Sequence, residues 1–328
     1  MGPFPARFRA SGSQAVWTQW LQQHLSFGEL DVFKSTSVPP TQCGEIVVNQ
    51  ILKYLVPHQY VRPTEVLAYA NEGGRIVAAA LAYHQRNGSI IECTPSLLTW
   101  LRMTDLTREL PAHLLRLPYP AIYVHGLPLE DGVAADVEGV YLFEHGDVEC
   151  PGARALTLIP VCWNGRQVSP LESMTLTIMD EAVPIIDWLQ KNTRGDWTPI
   201  MASVAKILLY VGLKDARQVV QSAYTDAPRN FSGLGKRKRA LKLEEIERLY
   251  DRILVGPDHI PTIDVEVTSE PHHLRPHWRR GHFRHQPYGS GGHERRLIFI
   301  SPTIVNNKDI ADHNLSPKSY RPTHLPAN

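Results

Sequence analysis

Four short runs decide the class of this fold: Ala121-Ile-Tyr-Val-His125, Gly139-Val-Tyr-Leu-Phe143, Ala155-Leu-Thr-Leu-Ile159 and Met174-Thr-Leu-Thr-Ile178. Each is rich in β-branched, aromatic or leucine side chains and is bounded by Gly, Pro, Asp or Asn. No helical period separates one run from the next. Parallel neighbours need a long crossover, usually a helix, so the runs predict an antiparallel meander and not a βαβ sheet.

On either side of the meander the apolar period becomes helical. Ser13 can cap a helix carrying Val16, Trp17, Trp20, Leu21 and Leu25 on one face. Pro39-Pro40 breaks the chain ahead of an apolar helix over 46–56, and 64–86 reads as a long buried helix with a break expected at Gly73-Gly74. Thr94-Pro95 is a cap followed by proline, a helix start leading into Leu97, Leu98 and Leu101. Residues 1–12, with two prolines and two glycines, are expected to fray. Trp17 and Trp20 are expected in the core.

Beyond the meander, helices are expected over 181–191, interrupted by Pro184, over the apolar 198–211, and over 241–254. The segment Gly233 to Arg239 reads as a linker. Strands are expected at 262–267 and 296–300, flanking a basic loop and able to rejoin the sheet, with polar, partly disordered sequence after about residue 306. The fold class is therefore α+β. Its regions are a helical 1–118, an antiparallel sheet with helices over 119–232, and a linker, helix and basic C-terminal part over 233–328.

The chain has 328 residues, 43% hydrophobic and 20% charged, which is ordinary globular composition and excludes wholesale disorder. No apolar run approaches the roughly 18 residues of a membrane span, and the first residues lack a signal pattern. Cys43, Cys93, Cys150 and Cys162 have no metal-ligand spacing, which points to a reducing, cytoplasmic setting. No metal or cofactor is expected. Glu130-Asp131 and Asp136 read as turn residues, and no Walker A loop, Rossmann glycine pattern or nucleophile elbow is present.

The formal net charge of +1 hides a segregation. Residues 1–230 hold 18 Lys+Arg against 22 Asp+Glu, a net of −4, whereas residues 231–328 hold 16 against 11, a net of +5. Residues 271–296 alone carry six arginines, one glutamate and six of the 15 histidines. Charge divided in this way points to an acidic partner for one end of the chain.

The densest chemistry is Arg275-Pro-His-Trp-Arg-Arg-Gly-His-Phe-Arg284. Arg275, Arg279, Arg280 and Arg284 offer forked guanidiniums suited to phosphate. Trp278 and Phe283 can stack on bases, and His277 and His282 can move protons near neutral pH. Three uses fit: contact with single-stranded RNA, an acidic protein or peptide partner, and a solvated loop. In a ribonuclease, His277 and His282 would act as acid and base with Arg279 or Arg280 on the developing charge, a geometry that a five-residue separation does not define. Lys236, Arg237, Lys238 and Arg239 form a second basic run, either a solvated linker or an auxiliary contact to RNA or the ribosome.

The run from Arg275 to Phe283, then Gly289-Ser-Gly291, then a strand ending in Pro302 and Val305-Asn306, resembles the C-terminal signature of the large type V-A anti-CRISPR family of phages and plasmids. Leu117-Pro118, Tyr123-Val124, Asp131-Gly-Val-Ala134 and Gly139-Val-Tyr141 stand in the order and spacing of the same family. The resemblance covers about a quarter of the chain and does not extend to its first hundred residues. It implies an inhibitor that lowers production of a type V CRISPR nuclease by recognising its nascent peptide and promoting loss of its mRNA. It also implies that Arg275, His277, Arg279, Arg280, Gly281 and His282 are the shared functional motif. The expected partners are thus a nascent peptide and an mRNA or ribosome, with no membrane. The alternative is a nucleic-acid-binding protein or ribonuclease of phage or plasmid maintenance without a peptide receptor.

Overall fold

The computed structural model describes residues 2–55, 63–129, 136–163, 168–170, 172–195, 197–259 and 277–305. Five helices come first: α1 (Phe4–Ala10), α2 (Ser13–His24), α3 (Phe27–Lys34), α4 (Pro40–Leu55) and α5 (Pro63–Gln85). Strand β1 (Ser89–Cys93), α6 (Pro95–Arg102) and β2 (Thr104–Asp105) lead into β3 (Ala121–His125), β4 (Val137–Gly146), β5 (Arg154–Trp163), β6 (Val168–Pro170) and β7 (Met174–Ile178). Then follow α7 (Ile185–Asn192), α8 (Trp197–Val211), β8 (Gln218–Gln221), α9 (Lys236–Glu247) and β9 (Arg252–Val255). The last described elements are β10 (His277–Arg279), β11 (Gly281–Tyr288), β12 (Glu294–Ile300) and β13 (Thr303–Val305).

The class is α+β, and the meander is where its alternation places it: β3, β4, β5 and β7 pair antiparallel in turn, with β6 also on β5. The sheet extends further, in the order β6-β5-β4-β3-β1-β9-β8. Strand β1 runs parallel to both β3 and β9. This makes the central sheet mixed. Its parallel centre arises because β9 comes from residues 252–255, which the sequence reading assigned to the end of a helix over 241–254. Ile253 and Val255 are buried at a spacing of two, and that strand period prevails over the helical charge order before it.

The two sides of the sheet bury different sets, one aliphatic and the other holding the aromatic residues of β3 and β4. Ile91, Ile122, Val124, Val140, Leu142, Leu156 and Leu158 pack with α6, α7 and α8 through Leu97, Leu101, Trp188, Val204 and Leu208. Tyr123, Tyr141, Phe143, Ile159 and Val161 pack with the N-terminal helices through Phe4, Phe8, Leu21, Phe33, Val47 and Leu81. The sheet is thus the middle of three layers. The alanines of α5 at 78, 79, 80 and 82 are fully buried, and their small side chains let the helix lie close over the aromatic face.

Several local expectations change. Helix α5 runs unbroken through Gly73-Gly74, because Gly74 serves packing: a Cβ there would lie 3.1 Å from Val48 Cγ2 of α4. The expected frayed start is a helix, with proline in its first turn and with Phe4, Ala6 and Phe8 buried. Val16 is exposed, while Trp17 and Trp20 pack partly buried against the core. Pro184 sits at the N-cap of α7 and so begins that helix instead of interrupting it. Thr94 caps α6 as expected, its hydroxyl accepting from Leu97 N at 3.2 Å. The expected strand at 262–267 lies outside the described residues.

Three histidines on the aromatic side, half-buried His84 and His125 and buried His145, have basicities lowered chiefly by desolvation, His84 down to about 4. A buried histidine that stays neutral while the unfolded chain protonates lowers stability as pH falls. For His84 the loss begins near the unfolded pKa of about 6.5 and is complete near 4. The urea midpoint should therefore fall between pH 7.5 and pH 4.5, and His84→Gln should flatten that fall; an unchanged pH dependence would contradict the assignment. Gly139→Ala should cost about 2 kcal/mol in urea unfolding, since its Cβ would lie 2.5 Å from Val124 O.

Candidate nucleic-acid interface

The sequence motif lies on a β-hairpin and not in a loop between strands. Strands β11 and β12 pair from His282↔Ile300 to Tyr288↔Glu294, and β10 and β13 continue the same register from His277↔Val305 to Arg279↔Thr303. The two ladders are interrupted only at Arg280-Gly281 opposite Ser301-Pro302. Among the described residues, the expected strand at 296–300 does not rejoin the central sheet. Instead β11 pairs parallel with β2, as a separate sheet of order β12-β11-β2. Gly281 is needed there, because a Cβ would lie 2.7 Å from Thr104 Oγ1, 2.8 Å from Pro302 Cδ and 3.0 Å from Ile300 O.

The pleat then sorts the motif. Directly opposed residues share a face, so Phe283 and Phe299 project together. Their rings lie 4.9 Å apart, and Phe299 also meets Trp100 at 6.1 Å and Tyr210 at 5.6 Å. Phe283 is fully buried, so it anchors the hairpin and offers no ring to a base. The opposite face carries His282 beside Ile300, Arg284 beside Ile298, and Gln286 beside Arg296. Arg284 on this face and Arg279 in the adjoining β10 are both exposed and make no ion pair among the described residues. Arg280 is engaged, its Nη1 donating to both Asp105 oxygens at 2.6 and 2.9 Å. Arg275 and the side chains of His277 and Trp278 lie outside the described residues.

On this face the hairpin can hold phosphates through guanidiniums fixed on a rigid ladder. Of the acid–base pair expected, His277 and His282, the His277 side chain lies outside the described residues; His285, the other histidine of β11, sits on the face opposite His282. His285 instead faces His113 at 6.0 Å, and burial, with help from His113 and Arg295, lowers its basicity. Lys236, Arg237, Lys238 and Arg239 form the exposed first turn of α9. Cations at a helix N-terminus oppose its dipole, so helix stability does not account for them. Among the described residues, no three His, Cys, Asp or Glu side chains could hold a metal, and no helix is long and apolar enough to cross a membrane.

Two features escaped the sequence reading. Arg296, whose guanidinium pairs with Asp215, joins the outer face only through its cross-strand position, although alternation along 294–300 carries a signal for it. The second is an open cleft of about 620 Å³ between Leu117–Pro120 and the β4–β5 turn. At its base Arg154 pairs with Glu181 at 2.9 Å, and Arg116 bridges Glu144 at 2.8 Å and Glu181 at 3.1 Å. Arg154 also donates to the carbonyls of Leu115 and Ala112. These two cations and two anions satisfy one another, which makes the quartet a fastening for the 112–117 segment.

A family model described as "AcrVA2-like: Anti-CRISPR type V subtype A2 family" matches residues 91–307. The chain is also similar to the solved structure titled "Crystal structure of AcrVA2", with 14% identity and a TM-score of 0.47 over 93% of this chain and 100% of that one. No curated protein matches.

The pleat separates anchoring from exposed positions, and stability measurements should separate them too. Phe283→Ala should cost about 3–5 kcal/mol by urea unfolding, whereas Arg284→Ala should stay within about 0.5 kcal/mol of the parent chain. Equal losses would show that the two side chains do not face opposite sides.

Proposed function

The chain belongs to the anti-CRISPR type V subtype A2 family, and from that premise we propose that it lowers production of a type V CRISPR nuclease while that nuclease is being translated. It recognises the emerging N-terminal peptide of the nuclease, and its C-terminal hairpin holds the message so that a nuclease of the host removes it. The observation that carries this reading is the hairpin's outer face within the matched region. There Arg284 stands exposed on the side opposite the buried Phe283, and Arg279 stands exposed in the adjoining β10. Holding RNA needs only such cations, spaced along a rigid edge, whereas cutting it needs two proton-transfer groups on one face.

Peptide recognition falls to the less basic remainder of the chain, whose residues 1–230 carry a net −4. A nascent N-terminus is positive once deformylated, so a receptor of this charge draws it in. Helices α1–α5 precede the matched region. They are therefore the place where relatives can differ in the target they select.

A reporter series tests the proposal. Changing the first codons of the nuclease so that they encode another peptide should abolish the loss of its message, and synonymous recoding should leave that loss intact. The reverse pattern would refute peptide recognition. Separately, Arg279→Ala with Arg284→Ala should reduce the slope of log K against log salt for single-stranded RNA by about 1.4, from two lost phosphate contacts. An unchanged slope would refute the phosphate assignment.

A further inference from the structure

Strand β4 contains a bulge: Val137 pairs with Cys162 and Gly139 with Val161, leaving Glu138 as the extra residue. A bulge re-aims a side chain, and here it brings the Glu138 carboxylate to the aromatic side of the sheet. That carboxylate is only 10% exposed. Its Oε1 accepts from Phe4 N at 2.8 Å and from the Tyr123 hydroxyl at 3.1 Å, and its Oε2 accepts from Arg7 at 2.5 Å. Gly139 makes this possible, since a Cβ there would lie 2.6 Å from Tyr123 Oη. Beside the carboxylate, the Phe4 ring meets Tyr141 edge-on at 6.3 Å, and Phe8 stacks on His84 at 6.3 Å.

The contact has two unequal halves. Tyr123, Glu138, Gly139 and Tyr141 lie within the family-matched region, whereas α1 precedes it. Helix α1 has seven residues, too few to be stable alone, and it is joined to α2 through Gly12 at φ +76° with nothing within 4 Å of its missing Cβ. Further polar anchors are the hydrogen bond between His84 and the Pro5 backbone, and Arg9, which donates to Leu249 O at 2.5 Å and lies over the Tyr224 ring.

We propose that the pocket of Glu138, Tyr123 and Tyr141 is a receptor for a protein N-terminal segment that places an aromatic residue three positions before a basic one, and that α1 occupies it in cis. The carboxylate reads the backbone N–H of the aromatic residue and the following cation, and Tyr141 reads the ring. This rests on the peptide-recognition reading above and gives it a location. A tethered occupant competes at millimolar effective concentration, so an incoming segment must bind better than α1 or meet a weakened α1.

Hydrogen exchange on the full chain tests the proposal. Amides of residues 4–10 should exchange at least ~100-fold faster than those of α8, through local opening. In the Arg7→Ala chain, a synthetic peptide of residues 1–12 at millimolar concentration should speed their exchange several-fold. Glu138→Gln should abolish that response while leaving α8 protection unchanged. Protection of α1 equal to that of α8, or no response to peptide in the Arg7→Ala chain, would overturn the proposal. If an N-terminal peptide of a type V nuclease binds without changing α1 exchange, this location is wrong but peptide recognition stands. If that peptide does not bind at all, both fall.

Discussion

Burial of the central sheet on both faces is the constraint on which the other layers depend. A strand covered on two sides must place a fitting side chain at every position, and here the two sides differ in kind. Aliphatic residues such as Val124, Val140 and Leu142 face α6–α8, and Tyr123, Tyr141 and Phe143 face α1–α5. A one-residue slip of β4 would exchange the two sets, so the register is strongly specified. Departures from the alternation are correspondingly few and local. The bulge at Glu138 is one, and it brings a carboxylate into the side of the sheet that holds Tyr123 and Tyr141.

The same pleat logic turns the C-terminal motif from a string into a surface. Neighbours in sequence end on opposite sides: Phe283 goes to the core while His282 and Arg284 go outward. Gly281 contributes close backbone approach to β2, and Arg280 is held by Asp105. What remains for a partner is a smaller set than the motif, and Arg296, which shares the outer face from the opposite strand, is likewise held by an aspartate, Asp215.

The meander was legible because β3, β4, β5 and β7 carry their own alternation and turn residues, and α8 because its apolar stripe is continuous. Three features were not, each for a physical reason. Strand β9 follows a charge pattern suited to a helix, and only its pairing with β1 and β8 reveals it. Helix α1 hides behind prolines and glycines that read as disorder, although one proline starts the helix and Gly12 ends its approach to α2. The Glu138 pocket depends on a bulge, which no periodicity announces. The motif's location was readable from its residues and its resemblance, but its division into anchor and surface required the register with β12.

The most direct test is an alanine series across residues 279–284, read in parallel as melting temperature and as repression of a type V nuclease reporter. Ala at Arg279, His282 and Arg284 should relieve repression with the melting temperature unchanged, whereas Phe283→Ala should lower both. Full repression by the folded Arg279→Ala, Arg284→Ala double variant would contradict the assignment of the hairpin's exposed arginines as the working surface.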